Sequence, residues 1–209
     1  MDYLSRLSFL SRLPVPLGAI VAGLLAVLMA LPAQAEESAG NEDLPKVRVS
    51  TTEGAFTVRL RPDIAPETVD NFLRYVEEDY YDGTIFHRVI PGFMIQGGGF
   101  DRDMNRRETR DPIVNESRQS VKNLRGTLAM ARTQDPDSAT AQFFVNLEDN
   151  PHLDTTRARK GYAVFGDVTE GMSVVDAIGQ AETTQRKGMN DVPREPVIIE
   201  SIRRVDNGQ

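Results

Sequence analysis

From Lys46 to Leu60 apolar and polar side chains alternate. Val47, Val49 and Thr51 share one face, then Phe56, Val58 and Leu60, with Glu53-Gly54 between the two runs. Successive side chains of an extended chain point to opposite faces, so a period of two marks a half-buried strand. Two such runs around a short break predict a two-stranded hairpin. The period then changes. In APETVDNFLRYVEEDYY, residues 65–81, Val69, Phe72, Leu73 and Val76 recur at helical spacing and Pro66 stands near the first turn. That segment reads as an amphipathic helix, and Asp82-Gly83 as the turn that follows it.

Between residues 84 and 148 no helix-length periodicity is present. Short apolar runs (Thr84–Ile90, Phe93–Gly97, Thr127–Arg132, Gln142–Leu147) alternate with glycine, proline and polar loops. Tyr162–Val168 reads as a further strand. Gly171–Gln180, with Val174, Val175 and Ile178, reads as a second short helix, and Pro196–Arg203 as a last strand. Many short strands joined by polar turns predict a closed antiparallel barrel, and the two helices are expected to cap it.

The beginning of the chain differs. Arg6 and Arg12 precede the uncharged apolar run Leu17–Leu31, and Ala33-Gln34-Ala35 precedes Glu36-Glu37. A basic segment, an apolar segment and a small-x-small site are the parts of a secretory signal peptide. The run is short of the ~20 apolar residues that span a bilayer. Cleavage after Ala35, export to the periplasm and no stable membrane association afterwards are the expectation. Residues 36–45 are polar, acidic and aperiodic and read as a flexible leader. One domain, 46–209, follows.

The whole chain carries 24 basic and 31 acidic residues, a formal charge of −7. Loss of Arg6, Arg12 and Asp2 with residues 1–35 leaves 22 and 30, or −8. That balance argues against a nucleic-acid partner. There is no cysteine, which excludes disulfides, thiolate metal sites and cysteine nucleophiles. The only histidines are His87 and His152, and no metal-protease, serine-hydrolase, phosphate-loop or dinucleotide motif is present. The glycines of QGGGF do not lead into a helix with a following Lys-Ser/Thr, and Asp135-Pro136-Asp137 lacks the other ligands of a calcium loop. No metal or cofactor is expected.

Two segments stand apart: FHRVIPGFMIQGGGF, residues 86–100, and GTLAMARTQDPDSATAQFFVNLEDNPHLD, residues 126–154. Together with GYAVFG at 161–166 they resemble the cyclophilin family of peptidyl-prolyl cis–trans isomerases. The resemblance runs from Lys46 to about Val205, and the ARTxDxDSATxQFF wording looks most like the bacterial exported branch. It implies an eight-stranded antiparallel barrel capped by two helices. It implies substrates that are proline-containing unfolded or partly folded exported polypeptides. Arg88 falls on the family's catalytic arginine. Phe93, Met94, Phe144 and Leu153 fall on the walls of its proline pocket, and Gln96 on the glutamine that bonds the substrate backbone. Ala131 and Arg132 fall on the edge that pairs with the substrate chain, Gln142 on a groove residue, and His152 and Tyr162 on the rim. Three of these depart from eukaryotic relatives, where tryptophan stands for His152, asparagine for Arg132 and histidine for Tyr162. A smaller polar ring at 152 is expected to weaken binding of the cyclic-peptide inhibitor cyclosporin without harming turnover.

These residue types suit that reaction on physical grounds alone. Amide resonance holds a peptide bond planar behind a barrier of ~18–20 kcal/mol, and Xaa-Pro bonds turn over tens to hundreds of seconds. No bond to carbon is made or broken, so no nucleophile is needed. A guanidinium aimed at the nitrogen of the twisted amide stabilises the transition state more than the ground state. Arginine is always charged and donates from a rigid fork. Phenylalanine and methionine suit a compact apolar ring. Phe143 and Phe144 are adjacent and face opposite ways on a strand, so one is core and one pocket; the resemblance puts Phe144 in the pocket. His87 reads as structural, because the reaction moves no proton. The competing reading is a cyclophilin-like binder or chaperone with little turnover. Intact Arg88, Phe93, Gln96 and Phe144 favour the enzyme. No coiled coil or extra domain hints at assembly, so a monomer is expected.

Overall fold

The computed structural model describes residues 44–205; the expected signal peptide and residues 36–43 of the expected leader lie outside them. Strands β1 (Lys46–Thr51) and β2 (Gly54–Leu60) form the hairpin that the alternation predicts, paired from Lys46↔Arg59 to Thr51↔Gly54. Thr51 closes the turn: its hydroxyl donates to the Gly54 carbonyl at 2.7 Å and accepts from the Glu53 N–H at 3.1 Å. Gly54 sits at φ +119°, where a side chain is strained.

Helix α1 spans Pro66–Glu77, four residues short of the end the spacing predicts. Asp79 adopts φ +53° and breaks the turn. The chain then folds Tyr81 inward, where it is fully buried and its hydroxyl donates to the Ala141 carbonyl at 2.9 Å. Burial of that ring outweighs one more helical turn. At the other end, the local sequence supplies no side-chain cap. The Glu116 carboxylate, distant in sequence, accepts from the Thr68 N–H at 2.8 Å and the Thr68 hydroxyl at 2.7 Å. A carboxylate there satisfies first-turn donors and favours the positive end of the helix.

The remaining elements are β3 (Thr84–Ile90), β4 (Met94–Asp101), β5 (Thr127–Met130), β6 (Phe143–Asn146), β7 (Val164–Glu170), α2 (Met172–Gly179), β8 (Thr183–Arg186), β9 (Met189–Pro193) and β10 (Ile198–Val205). Eight strands close an antiparallel barrel in the order β1-β10-β3-β4-β6-β5-β7-β2. Phe56, Phe86, Phe143 and Phe165 are fully buried within the main core. Small barrels fill their interiors with side chains in this way. Phe72 of α1 packs among them, its ring 5.7 Å from Phe143 and 5.1 Å from Phe165. From α2, Val175 and Ile178 join the same cluster. The hairpin β8–β9 stands outside the barrel. Its polar sequence carries almost no alternation, so periodicity does not reveal it; Lys187 at φ +48° and Gly188 at φ +80° form its turn.

Candidate active site

The β3–β4 pair contains an irregularity that decides the site. Phe86 opposes Gly97 and Arg88 opposes Gln96, so two steps on β3 match one on β4. His87 is the extra residue of a bulge. Simple alternation would place Phe86 and Arg88 on the same face. The bulge separates them: Phe86 fills the barrel, whereas Arg88 lines a hollow on its outer wall. Phe86 lies so close to Gly97 that a Cβ there would stand 2.9 Å from its ring, which is why residue 97 has no side chain.

From Arg88 a row of residues crosses the wall in register. Arg88 opposes Gln96 across β3–β4, Gln96 opposes Phe144 across β4–β6, and Phe144 opposes Ala129 across β6–β5. Met94, two residues before Gln96, lies on the same face. Met94, Phe144, Leu153, Ala129 and Val164 form a second buried apolar cluster, separate from the barrel core, with Phe93 and Tyr162 packed against it. The hollow above it has a volume of about 100 Å³ and is lined by Arg88, Gln96, Ala131, Arg132 and Tyr162 together with Phe93, Met94, Phe144 and Leu153. That is well below the ~300–1,000 Å³ of sites for drug-sized ligands and is on the scale of a single small ring.

Nine of the eleven residues singled out in the sequence therefore line one cavity. Gln142 and His152 do not. Gln142 lines an adjoining hollow that shares Gln96, Ala131 and Arg132 with the first. Its side-chain oxygen accepts from the Gln96 amide at 3.0 Å and so orients that group. His152 is exposed and stacks behind Phe93, ring centroids 5.3 Å apart. The Arg132 guanidinium lies over the Tyr162 ring at 4.5 Å and donates to the carbonyls of Gly161 at 3.2 Å, Lys160 at 3.0 Å and Thr133 at 2.8 Å. It ties two loops together at the cavity wall. The Tyr162 ring meets Phe144 edge-on at 5.6 Å. The Ala131 N–H donates to the Gln142 carbonyl at 2.9 Å. Ala131 is the first residue after β5.

Sequence reasoning missed a buried polar group beneath Phe93. The Asn150 amide donates to the Phe93 carbonyl at 3.0 Å and to the Asn146 oxygen at 2.8 Å. The Asp154 carboxylate accepts from the Asn123 N–H at 2.8 Å. All four side chains are buried, and each is bonded, as burial of polar groups demands. They fix the loop that carries Leu153 against the loop that carries Phe93. Asparagine is ordinary in loops, so composition offered no signal.

His87 is buried on the far side of the bulge, its ring 4.6 Å from that of Phe100. Burial lowers its pKa to about 4, and the nearby Ile85 carbonyl and Gln142 side chain only partly offset that. Its Nδ1 has no hydrogen-bond partner. The unfolded chain, with an ordinary histidine pKa of ~6.5, binds the proton more tightly than the folded protein. Stability is thus whole above pH 6.5 and falls as pH drops from there toward 4, by up to about 3 kcal/mol. Urea unfolding from pH 7 to 5 is expected to show this slope, and His87→Gln to flatten it. An unchanged slope in the variant would assign it to other groups.

Comparison with known proteins agrees with this geometry. Residues 46–204 match the family model described as cyclophilin type peptidyl-prolyl cis-trans isomerase/CLD. The chain is 52% identical over 160 residues to peptidyl-prolyl cis-trans isomerase cyp18 of Streptomyces antibioticus, covering 75% of this chain and 96% of that one. It is 53% identical over 160 residues to peptidyl-prolyl cis-trans isomerase B of Escherichia coli, covering 75% and 97%. A crystal structure of a cyclophilin-type isomerase from Cryptosporidium parvum superposes with a TM-score of 0.66 at 25% identity, covering 78% of this chain and 98% of that one. Barrel topology and half of the aligned residues are thus held in common with enzymes that turn Xaa-Pro bonds, and the chain belongs to the cyclophilin-type peptidyl-prolyl cis–trans isomerase family.

Proposed function

We infer that Arg88 carries the catalysis and that the enzyme's substrates are exported polypeptides. The observation that bears most on the first point is the placement of Arg88. Its guanidinium makes no hydrogen bond among the described residues, yet it lines a hollow floored by Phe93, Met94, Phe144 and Leu153. A prolyl ring seated on that floor is held while the preceding carbonyl turns. As resonance is lost, the proline nitrogen becomes pyramidal and its lone pair accepts a hydrogen bond. In the planar amide that lone pair is delocalised. The arginine N–H therefore gains a partner only near the top of the barrier, which is the condition for lowering it. Gln96, oriented by Gln142, both donates and accepts, which suits the backbone beside the ring. Arg132 and Ala131 border the cavity where the substrate chain would continue.

Exchange spectroscopy on an Ala-Pro peptide tests the site: acceleration by the wild type is expected. Slow exchange together with measurable binding would leave a proline-peptide binder.

Export rests on the basic, apolar and small-x-small order of residues 1–35. Expressed with its full N-terminus in a bacterium, the protein is expected in the periplasmic fraction with Glu36 as its first residue. Recovery of Met1 in the cytoplasm or the membrane would overturn export and leave the isomerase assignment intact.

A further inference from the structure

The geometry points to Asp191 as a positioning residue for Arg88, an assignment that rests on the catalytic role given to Arg88 above. The Asp191 carboxylate stands 3.9 Å from Arg88 Nε. It is the one ion-pair partner of Arg88 among the described residues. The approach is to Nε, so the two Nη groups stay free of any carboxylate there. Both side chains are about two-fifths exposed. A pair that open contributes little to folding, so stability does not account for it.

The backbone around Asp191 also calls for a reason. The residue sits in β9 at φ +60°, a left-handed conformation that aspartate and asparagine adopt more readily than other residues except glycine. Asp79, Met104 and Lys187 share a positive φ, so the conformation by itself marks no site; what matters is how firmly the residue is held. Here the surroundings enforce it firmly. Val192, the next residue, is buried with Ile85 of β3 and Met104, and Met189, Phe100 and Ile198 pack against that cluster. The hairpin β8–β9 lies outside the barrel and contributes nothing to its closure. It does clamp one carboxylate beside the bulged strand that carries Arg88. A long arginine side chain has much rotamer freedom to lose. A fixed negative charge at its Nε edge restricts that freedom before substrate arrives and leaves the Nη edge for the twisted amide.

The test is a double-mutant cycle with Asp191→Asn and Arg88→Ala, read as kcat and KM on an Ala-Pro peptide. Asparagine tolerates the left-handed conformation as aspartate does, so the substitution removes charge and little else; thermal melts check that the fold is kept. Asp191→Asn is expected to lower kcat about two- to five-fold at low salt with KM unchanged, the scale of an exposed ion pair. The gap between wild type and variant should close near 1 M salt, where the screening length is ~3 Å. In the Arg88→Ala background the same substitution should change nothing. An Asp191→Asn enzyme with wild-type kcat, or one whose effect persists without Arg88, overturns the role of Asp191. If Arg88→Ala alone keeps the wild-type rate, the catalytic reading of Arg88 falls, and the role of Asp191 falls with it.

Discussion

Arg88→Ala is expected to lower kcat/KM on an Ala-Pro peptide ~10²–10³-fold, as loss of one preorganised donor to a developing acceptor does elsewhere. The loss should fall mainly on kcat. The guanidinium has little to bond in the planar ground state, and the apolar floor proposed to seat the ring is untouched. Folding should be unaffected, because Arg88 makes no hydrogen bond among the described residues and its ion pair with Asp191 is exposed. Arg88→Lys keeps the charge but loses the planar fork, so it should recover only part of the rate. A melting temperature near wild type, combined with a collapsed kcat, is the signature. If the alanine variant turns over within a factor of a few of wild type, the transition-state role assigned to this residue is wrong.

The neighbouring pair Phe143 and Phe144 should separate stability from activity. Phe143 is fully buried, with ring contacts to Phe72 at 5.7 Å, Tyr81 at 5.6 Å and Phe86 at 6.1 Å. Truncation to alanine leaves a cavity that these three rings cannot collapse into, and such changes cost ~3–5 kcal/mol. That is a large share of the ~5–15 kcal/mol that holds a domain folded. At ~2–4 °C per kcal/mol for a domain of this size, the midpoint should fall by roughly 10 °C. Phe144 packs on the other face, and one side of its cluster opens to the hollow. Its truncation should cost less stability and more function. Losing the apolar surface against the prolyl ring removes on the order of 1.5–3 kcal/mol of binding, or ~10–100-fold in kcat/KM, expressed chiefly in KM. Calorimetry and peptide kinetics on the two variants check this. Were Phe144→Ala to unfold the protein while keeping full turnover per folded molecule, the pocket would have been placed on the wrong side of the strand.

Much of this architecture is legible before folding because it follows from local rules. Periods of two and of about four residues predict the opening hairpin, both helices and the last strand, since each records which positions meet the core. The predicted ends are less well placed. Helix α1 stops at Glu77 because Tyr81 gains more by turning inward than by continuing the helix. Strand β7 begins at Val164 because Tyr162 bonds back to the Leu153 carbonyl at 2.9 Å, outside the sheet. Hairpin β8–β9 left no periodic trace at all, being held by a left-handed turn and by one buried valine, Val192.

The site divides in the same way. Residue types and their spacing, with FHRVIPGFMIQGG foremost, carried the resemblance to the family, and that resemblance implied the chemistry and the nine side chains that line the cavity. Which way those side chains face was decided only in three dimensions. Alternation along one strand assigns residues to two faces but does not say which face is the lumen, and a single extra residue reverses the assignment. The bulge at His87 is that residue, visible only against β4. Asp191 and the asparagines beneath Phe93 belong to the same class. They come from segments distant in the chain, and only the tertiary fold brings them there, by packing β9 against β3 and the Asn150 loop beneath Phe93.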